Sequence, residues 1–170
     1  MRVLPGRWKQ AVATFMACAA VFAGAQTILT TNAVMPVTME IVQSCVVRAS
    51  DLDFGAYRSN SAAAVLGQTT LELHCSAGQV AEIALDSGTG IGGGTTRRRM
   101  RQEPGGDKLD YDLYQDAGRT VHWGDRSGND TVEVPTSGNV QTLTIYGKIP
   151  ASQRVRDGSY SDEITVSVFY

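Results

Sequence analysis

The chain has 170 residues, with 15 Lys and Arg against 17 Asp and Glu and a formal net charge of -2. This length suits one domain, and a hydrophobic content of 42% argues against an intrinsically disordered chain. Only 19% of the residues are charged and there is no basic surplus to neutralise phosphates, so the composition disfavours nucleic acid as a partner.

The first 25 residues have the pattern of a secretory signal peptide. Three basic residues precede an uncharged apolar run from Ala11 to Phe22, and the small residues Ala23 to Ala25 follow it. The run is about a dozen residues long, whereas a helix needs about 20 to span a bilayer. We therefore expect an exported protein that is cleaved after Ala25, with residues 1-25 outside the folded domain.

Two cysteines remain after this cleavage, because Cys18 is removed with the leader and Cys45 and Cys75 are retained. Exported compartments are oxidising, so we expect these two cysteines to form a disulfide. Closing a loop of this length stabilises a fold by about 3.5 kcal/mol in the loop-entropy model. The sequence has no C-x-x-C motif, and Cys75 with its neighbour His74 lacks further zinc ligands at a suitable spacing.

The mature chain has the pattern of an all-β protein. After Gln26, no stretch of 10-12 residues keeps a helical period, whereas short alternating runs bounded by Gly, Asp, Asn and Ser recur. About six strands are predicted in one domain, with loops at 87-96, 104-107 and 125-129. The predicted strands are Cys45 to Val47, Thr69 to Cys75, Val80 to Leu85, Tyr111 to Tyr114, Val140 to Ile145 and Glu163 to Tyr170.

A further alternating segment precedes the first of these strands. Apolar or small residues occupy every odd position from Leu29 to Ile41, over 13 residues. An immunoglobulin-like sandwich usually has about seven strands, and the body predicted here has about six. A body one strand short with an additional strand in front of it suggests strand donation between molecules.

Seven short motifs appear in order along the mature chain. They are SCVV at 44-47, LDFGAY at 52-57, LELHCS at 71-76, LDYDLYQD at 109-116, WG at 123-124, LTIYGKIP at 143-150 and DGSYSD at 157-162. Each motif alone is weak evidence for a protein family, but the whole set in this order is specific. With these motifs the chain resembles the spore coat protein U domain family, the subunit type of archaic chaperone-usher pili.

This resemblance implies an incomplete immunoglobulin-like β-sandwich that lacks its final strand and is completed by a donor strand from a neighbouring subunit. A periplasmic chaperone fills the open groove first, and an outer-membrane usher then replaces it with the next subunit's N-terminal segment. The implied product is a surface pilus that supports adhesion and biofilm formation, without enzymatic activity, cofactor or metal. The rival interpretations are a monomeric coat or carbohydrate-binding protein of the same fold and a small secreted hydrolase.

The resemblance also assigns roles to residues. Residues 26-42 become the donor-strand segment, and residues 43-170 become the pilin domain. The groove-filling donor side chains are Leu29, Met35, Val37, Met39 and Ile41. The strand that lines the acceptor groove and contacts the chaperone carries Ile164, Val166, Val168 and Tyr170. Pro36 departs from an ideal donor because it has no N-H, so it either occupies a non-bonding position or leaves Val37 to Ile41 as the working donor.

Other motifs favour structural roles. Residues 88-93 formally match G-x-G-x-x-G, but no amphipathic helix follows, as a dinucleotide site requires. Four arginines between Arg97 and Arg101 could contact an acidic polysaccharide or anionic lipid. We expect instead a solvated strand edge, where charge prevents unwanted pairing.

The acidic and histidine residues do not form a recognisable catalytic or metal-binding pattern. The carboxylate pairs Asp51/Asp53 and Asp110/Asp112 each lie on one strand face, but no further ligands accompany them at loop spacing. His74 and His122 have no nucleophile motif or free thiol to act on. We therefore expect neither a metal site nor catalytic residues.

Overall fold

The computed structural model of the protein describes residues 31-170. The predicted signal peptide, its cleavage after Ala25 and the donor residue Leu29 lie outside the described residues. The described chain divides into two units after Met39, and the second unit comprises Glu40-Tyr170. Residues 31-170 include no helix with the length and apolar character needed to cross a membrane.

The second unit is all-β, as predicted, and contains nine strands within the described residues. They are β1 (Cys45–Ala49), β2 (Val65–Cys75), β3 (Val80–Leu85), β4 (Arg98–Gln102), β5 (Lys108–Tyr114), β6 (Val132–Pro135), β7 (Val140–Ile149), β8 (Tyr160–Ser161) and β9 (Val166–Phe169). All six predicted strands are present. The three further strands β4, β6 and β8 are short, with two to five residues each.

The strands form two antiparallel sheets. One has the order β1-β2-β7-β5-β4-β8 and the other has the order β6-β3-β9. Cys45 on β1 lies directly opposite Cys75 on β2, and the two are joined by a disulfide. The disulfide prediction is confirmed.

The core is apolar and contains side chains from both sheets. Alternate residues of β2, β3, β5 and β7 point inward, which is the period of two that the sequence shows. Burying each large aliphatic side chain of this kind stabilises the fold by about 1.5-3 kcal/mol. The buried core includes Leu71, Leu73, Ile83, Leu85, Leu109, Tyr111, Leu113, Trp123, Ile145 and Ile149.

The prediction that the arginines between 97 and 101 lie on a solvated strand edge is wrong for Arg98. Its side chain is fully buried, and β4 lies between β5 and β8 rather than at the edge of the sheet. The guanidinium donates hydrogen bonds of 2.7-2.9 Å to the carbonyl oxygens of Leu85, Asp86, Thr95 and Trp123. Burial lowers the pKa of this guanidinium below its ordinary value. The physical reason is the strand period, which turns Arg98 inward while its neighbours in sequence face outward.

Candidate subunit-binding groove

The outer edge of β9 is unpaired within the described residues. β9 is the last strand of its sheet and pairs only with β3. The carbonyl of Thr165 faces β3, since it accepts a hydrogen bond of 3.1 Å from the N-H of Asp86. Backbone groups alternate in direction along a strand, so those of Val166 and Val168 point away from β3. An edge of this kind is a template for another strand.

Two adjoining cavities form one groove, and the first of them lies beside this edge. The first chamber has a volume of about 380 Å³ and the second about 470 Å³. The chambers share Leu52, Phe54, Met100 and Tyr160 as lining residues. The groove therefore passes between the 49-57 segment and the 155-166 segment.

The floor of the groove is part of the hydrophobic core. Leu85, Leu113 and Ile145 line the first chamber, and Leu109 and Ile149 line the second. All five side chains are at most 5% exposed. An apolar side chain entering either chamber would therefore meet core residues at its floor, while the walls of the second chamber also carry the polar residues Asp53, Ser59, Arg156, Asp157 and Ser159.

A pair of glycines allows the 52-54 segment to form one wall of the groove. Gly67 on β2 lies directly opposite Gly147 on β7. A Cβ atom at Gly147 would lie 2.5 Å from Cζ of Phe54 and 2.8 Å from Cδ2 of Leu52. These two side chains can therefore pack against the sheet only because neither strand has a side chain there.

The turn after this wall is fixed locally. The carboxylate of Asp53 accepts a hydrogen bond of 2.7 Å from the N-H of Gly55, which has a positive φ of 67°. The Phe54 ring meets the Tyr111 ring edge-on, with 6.1 Å between the centroids. The LDFGAY motif thus places two apolar side chains in the groove and then turns the chain.

Asp162 anchors the glycine-rich loop at the rim of the groove. Its Oδ1 accepts hydrogen bonds from the N-H and hydroxyl of Thr89 and from the N-H of Gly90, at 2.8-3.1 Å. Its Oδ2 accepts a bond of 2.8 Å from the hydroxyl of Tyr111. Burial, together with this bond and the charge of Asp162, raises the pKa of Tyr111, so the hydroxyl stays protonated as a donor. Gly88 has a positive φ of 77° and no room for a side chain beside Asp162.

The predicted acceptor residues flank the groove to different extents. Ile164 and Val166 line the first chamber, and both are half-buried against the core. Val168 also packs on the core but does not line either chamber. Tyr170 is 55% exposed and lies just beyond the end of β9.

The predicted donor residues that the structure describes are all exposed. Met35, Val37, Met39 and Ile41 have 81-84% of their surface accessible. Residues 31-44 form no strand. The alternating apolar segment thus has no regular structure of its own in the single chain.

The outward-facing arginines pair with one of the carboxylates that we considered as metal ligands. Nε of Arg99 lies 3.0 Å from Oδ1 of Asp110, and Nε of Arg97 lies 3.9 Å from Oδ2 of the same residue. Within residues 31-170, no group of three or more His, Cys, Asp or Glu side chains is arranged to hold a metal ion. Asp110 therefore acts as an ion-pair partner on the sheet surface.

The two histidines have structural contacts. Nε2 of His74 lies 3.1 Å from the carbonyl oxygen of Gly138, and the His122 ring packs on the Tyr114 ring at a centroid distance of 4.7 Å. Burial raises the pKa of Tyr114 to about 12 and also raises the pKa of Asp112. In the same cluster, the hydroxyl of Tyr114 donates a hydrogen bond of 3.4 Å to the carboxylate of Asp112.

The family model for the Spore Coat Protein U domain matches residues 31-167. The chain belongs to the Spore Coat Protein U domain family. Protein U of Myxococcus xanthus is 32% identical to this chain over 128 residues, which cover 70% of this chain and 71% of that protein.

Two solved structures resemble this member of the Spore Coat Protein U domain family in fold. One is the CsuC-CsuE chaperone-tip adhesion subunit pre-assembly complex from archaic chaperone-usher Csu pili of Acinetobacter baumannii. Its match has a TM-score of 0.58 at 21% identity and covers 76% of this chain but only 40% of that chain. The other is a chaperone-usher pilus, with a TM-score of 0.50 at 14% identity and coverage of 86% and 99%. These matches confirm the predicted immunoglobulin-like, all-β fold class.

Sequence reasoning did not assign several groove residues. Leu52, Phe54, Met100 and Tyr160 line both chambers, yet none was named as an acceptor residue. The sequence does contain an indication for the first two, because Leu52 and Phe54 are apolar residues two positions apart and Gly55 follows them. That spacing places both side chains on one face of an extended segment.

Proposed function

We propose that the protein is an exported, non-enzymatic subunit of a surface pilus, which polymerises by donor-strand exchange. Residues 26-42 of one subunit occupy the groove of the next. A periplasmic chaperone holds the groove before assembly, and an outer-membrane usher mediates the exchange. The pilus supports adhesion and biofilm formation.

The observation that carries this proposal is the unpaired edge of β9 beside a groove with an apolar floor. Strand addition at such an edge gains affinity from main-chain hydrogen bonds and specificity from alternate side chains in pockets. The exposed segment from Met35 to Ile41 supplies apolar side chains at that alternate spacing. Donor and acceptor surfaces differ, so the contact is heterologous and extends without closing.

Burial of the donor side chains supplies the favourable free energy of this contact. If Met35, Val37, Met39 and Ile41 become fully buried, each contributes about 1.5-3 kcal/mol. Together, the four side chains contribute a favourable burial free energy of about 10 kcal/mol, before the cost of ordering the segment is subtracted.

Pro36 favours a donor that is antiparallel to β9. In an antiparallel pair, two residues that lie directly opposite each other have their side chains on the same face of the sheet. If the backbone groups of one such residue point towards the other strand, those of its partner point back at it. Val166 and Val168 have inward side chains and backbone groups that face the open edge. An antiparallel donor would therefore bond through Met35, Val37 and Met39, and the missing N-H of Pro36 would face away from β9. A parallel donor would bond through the even positions and lose a bond at Pro36.

A rearranged chain tests the proposal. Residues Thr27 to Val42 are deleted from the front and attached behind Tyr170 through a short flexible linker. We expect the native chain to purify as polymers or only together with a chaperone, and the rearranged chain to be a stable monomer. A native chain that is a well-folded monomer, with a rearranged chain that is less stable, would refute strand donation.

A second candidate is a monomeric coat protein of the same fold. It is favoured by the 32% identity to Protein U of Myxococcus xanthus and by the spore-coat name of the family. It predicts that residues 27-42 serve as an ordinary first strand of their own domain. The rearranged chain separates the two candidates, because only the coat-protein candidate predicts that moving these residues lowers stability.

A further inference from the structure

All methionines beyond the predicted signal peptide lie at the proposed subunit contact. The chain has five methionines, and only Met35, Met39 and Met100 follow Ala25. Met35 and Met39 are 81% and 82% exposed in the donor-strand segment. Met100 is partly buried, lies opposite Leu109 on β5 and lines both chambers of the groove.

This placement suits the packing requirement of the contact. A thioether side chain is unbranched and flexible, so it fills irregular apolar space, and the groove has two chambers of about 380 and 470 Å³. The same side chains are chemically vulnerable. Oxidation converts a flexible apolar group into a polar sulfoxide and disrupts interfaces that are rich in methionine.

We propose that Met35, Met39 and Met100 are oxidation sites, and that peroxide arriving before assembly prevents this subunit from polymerising. The inference rests on the proposed function, with residues 26-42 of a second copy as the occupant of the groove. Both donor thioethers are open to solvent in the unassembled chain and become enclosed by the groove after assembly. The modification therefore acts on free subunits and spares the finished polymer.

The chemistry requires only the thioether and a peroxide. A sulfur lone pair attacks one oxygen of hydrogen peroxide, the O-O bond breaks and an S=O bond forms. The departing hydroxide takes up a proton and leaves as water. The sulfur loses two electrons and the peroxide gains them, so the product is methionine sulfoxide. A sulfoxide buried against the apolar floor of the groove is then a polar group without a hydrogen-bond partner, and it weakens the contact by about tenfold or more.

The first test compares assembly before and after oxidation. The full exported chain is dissociated in urea, treated with hydrogen peroxide, returned to buffer and assayed for polymers by sedimentation. We expect the untreated chain to reassemble and the treated chain to lose at least about tenfold in polymer yield. Methionine sulfoxide reductase should restore the yield. An oxidised chain that reassembles as well as the untreated one would overturn the inference.

Leucine variants supply matched controls, because Met and Leu have similar volumes. A Met35→Leu/Met39→Leu/Met100→Leu chain is compared only with itself, and its polymer yield should be the same with and without peroxide. If peroxide also abolishes its assembly, the effect comes from another residue and the inference is wrong. If the untreated native chain forms no polymers, either by itself or on release from a chaperone, the proposed function fails and the inference fails with it.

A second test measures the oxidation of each methionine directly. The rate of sulfoxide formation at each methionine is measured by mass spectrometry in polymers and in the dissociated chain, with free methionine as a dose standard. We expect all three methionines to react at least about tenfold more slowly in the polymer. Equal rates in the two states would show that the thioethers are not enclosed, which overturns the inference even if polymers form.

Discussion

The hydroxyl of Tyr111 donates a hydrogen bond of 2.8 Å to Asp162, which joins the floor of the groove to its rim. The other carboxylate oxygen of Asp162 accepts bonds from Thr89 and Gly90 in the glycine-rich loop. One side chain therefore couples the buried β5 strand to the loop above the first chamber. The G-x-G-x-x-G match in this loop has a structural explanation, since Gly88 leaves space for that carboxylate.

Removing this carboxylate should loosen the rim and lower stability. We expect Asp162→Ala to reduce the free energy of unfolding by about 1-3 kcal/mol, because the Tyr111 hydroxyl loses its buried acceptor. Urea unfolding measures the loss. Tyr111→Phe/Asp162→Ala should recover part of it, since the unpaired hydroxyl is then absent. No recovery in the double variant would contradict the assigned role of this bond.

Arg98 should be the most sensitive of the four arginines between 97 and 101. Arg98→Met leaves four carbonyl oxygens without their donor, and we expect a loss of at least about 3 kcal/mol in the free energy of unfolding. Arg97 has a side chain that is 64% exposed and a distant ion pair, so Arg97→Ala should cost less than about 1 kcal/mol. Similar losses for both variants would show that Arg98 does not hold these loops.

The paired glycines provide a test of the groove wall. Gly147→Ala would place a methyl group against Phe54 and Leu52, and we expect a loss of about 1-3 kcal/mol together with weaker assembly. Gly94→Ala is the matched control, since nothing lies within 4 Å of a Cβ at that position. Thermal unfolding and sedimentation of both variants give the comparison. A Gly147→Ala chain that behaves like the control would mean that Leu52 and Phe54 have other room to pack.

Proline substitutions in the donor-strand segment test its orientation. In an antiparallel donor the N-H of Thr38 faces away from β9, like the ring nitrogen of Pro36, and the N-H of Met39 faces β9. Thr38→Pro should therefore assemble as well as Thr38→Ala. Met39→Pro should assemble less well than Met39→Ala, by about the value of one hydrogen bond, 0.5-1.5 kcal/mol. The reverse order of sensitivity would indicate a parallel donor.

Asp112 should make the free energy of unfolding depend on pH. Burial raises the pKa of its carboxyl in the folded chain above the ordinary value, so the folded state binds a proton more tightly than the unfolded state. Stability from this residue is therefore present below the unfolded pKa and is lost as the pH rises through the folded pKa. Asp112→Asn should unfold at higher urea than the native chain at neutral pH, with a difference that shrinks towards acid pH. A constant difference would contradict this assignment.

The sequence predicted those parts of the fold in which side-chain alternation decides the structure. Val80 to Leu85 was predicted with the bounds that β3 has, because its inward positions are apolar and its ends adjoin turns. β4 was harder to predict, because four of the residues between Arg97 and Arg101 are arginines and no apolar alternation is visible. Only the packing of the 87-96 loop and Trp123 around Arg98 shows that this arginine points inward.

The family resemblance implied an open groove beside the last strand, but the sequence did not predict the shape of that groove. The family resemblance predicted that Ile164 and Val166 line an acceptor groove, and both line the first chamber. Leu52 and Phe54 reach the groove through an irregular segment whose position depends on Gly67 and Gly147 in distant strands. Contacts of that kind depend on tertiary packing, which local sequence patterns do not encode.

An inter-chain cross-link tests the central claim most directly. A Met39→Cys chain is mixed, under dissociating and then assembling conditions, with an Ile164→Cys, a Val166→Cys or a Val168→Cys chain and oxidised gently. Strand donation predicts a disulfide between two chains for at least one of these pairs. Val80→Cys, on an exposed residue of β3 that lines neither chamber, is the control and should give none. The absence of an inter-chain disulfide with all three of Ile164→Cys, Val166→Cys and Val168→Cys, or equal cross-linking to the control, would contradict the account.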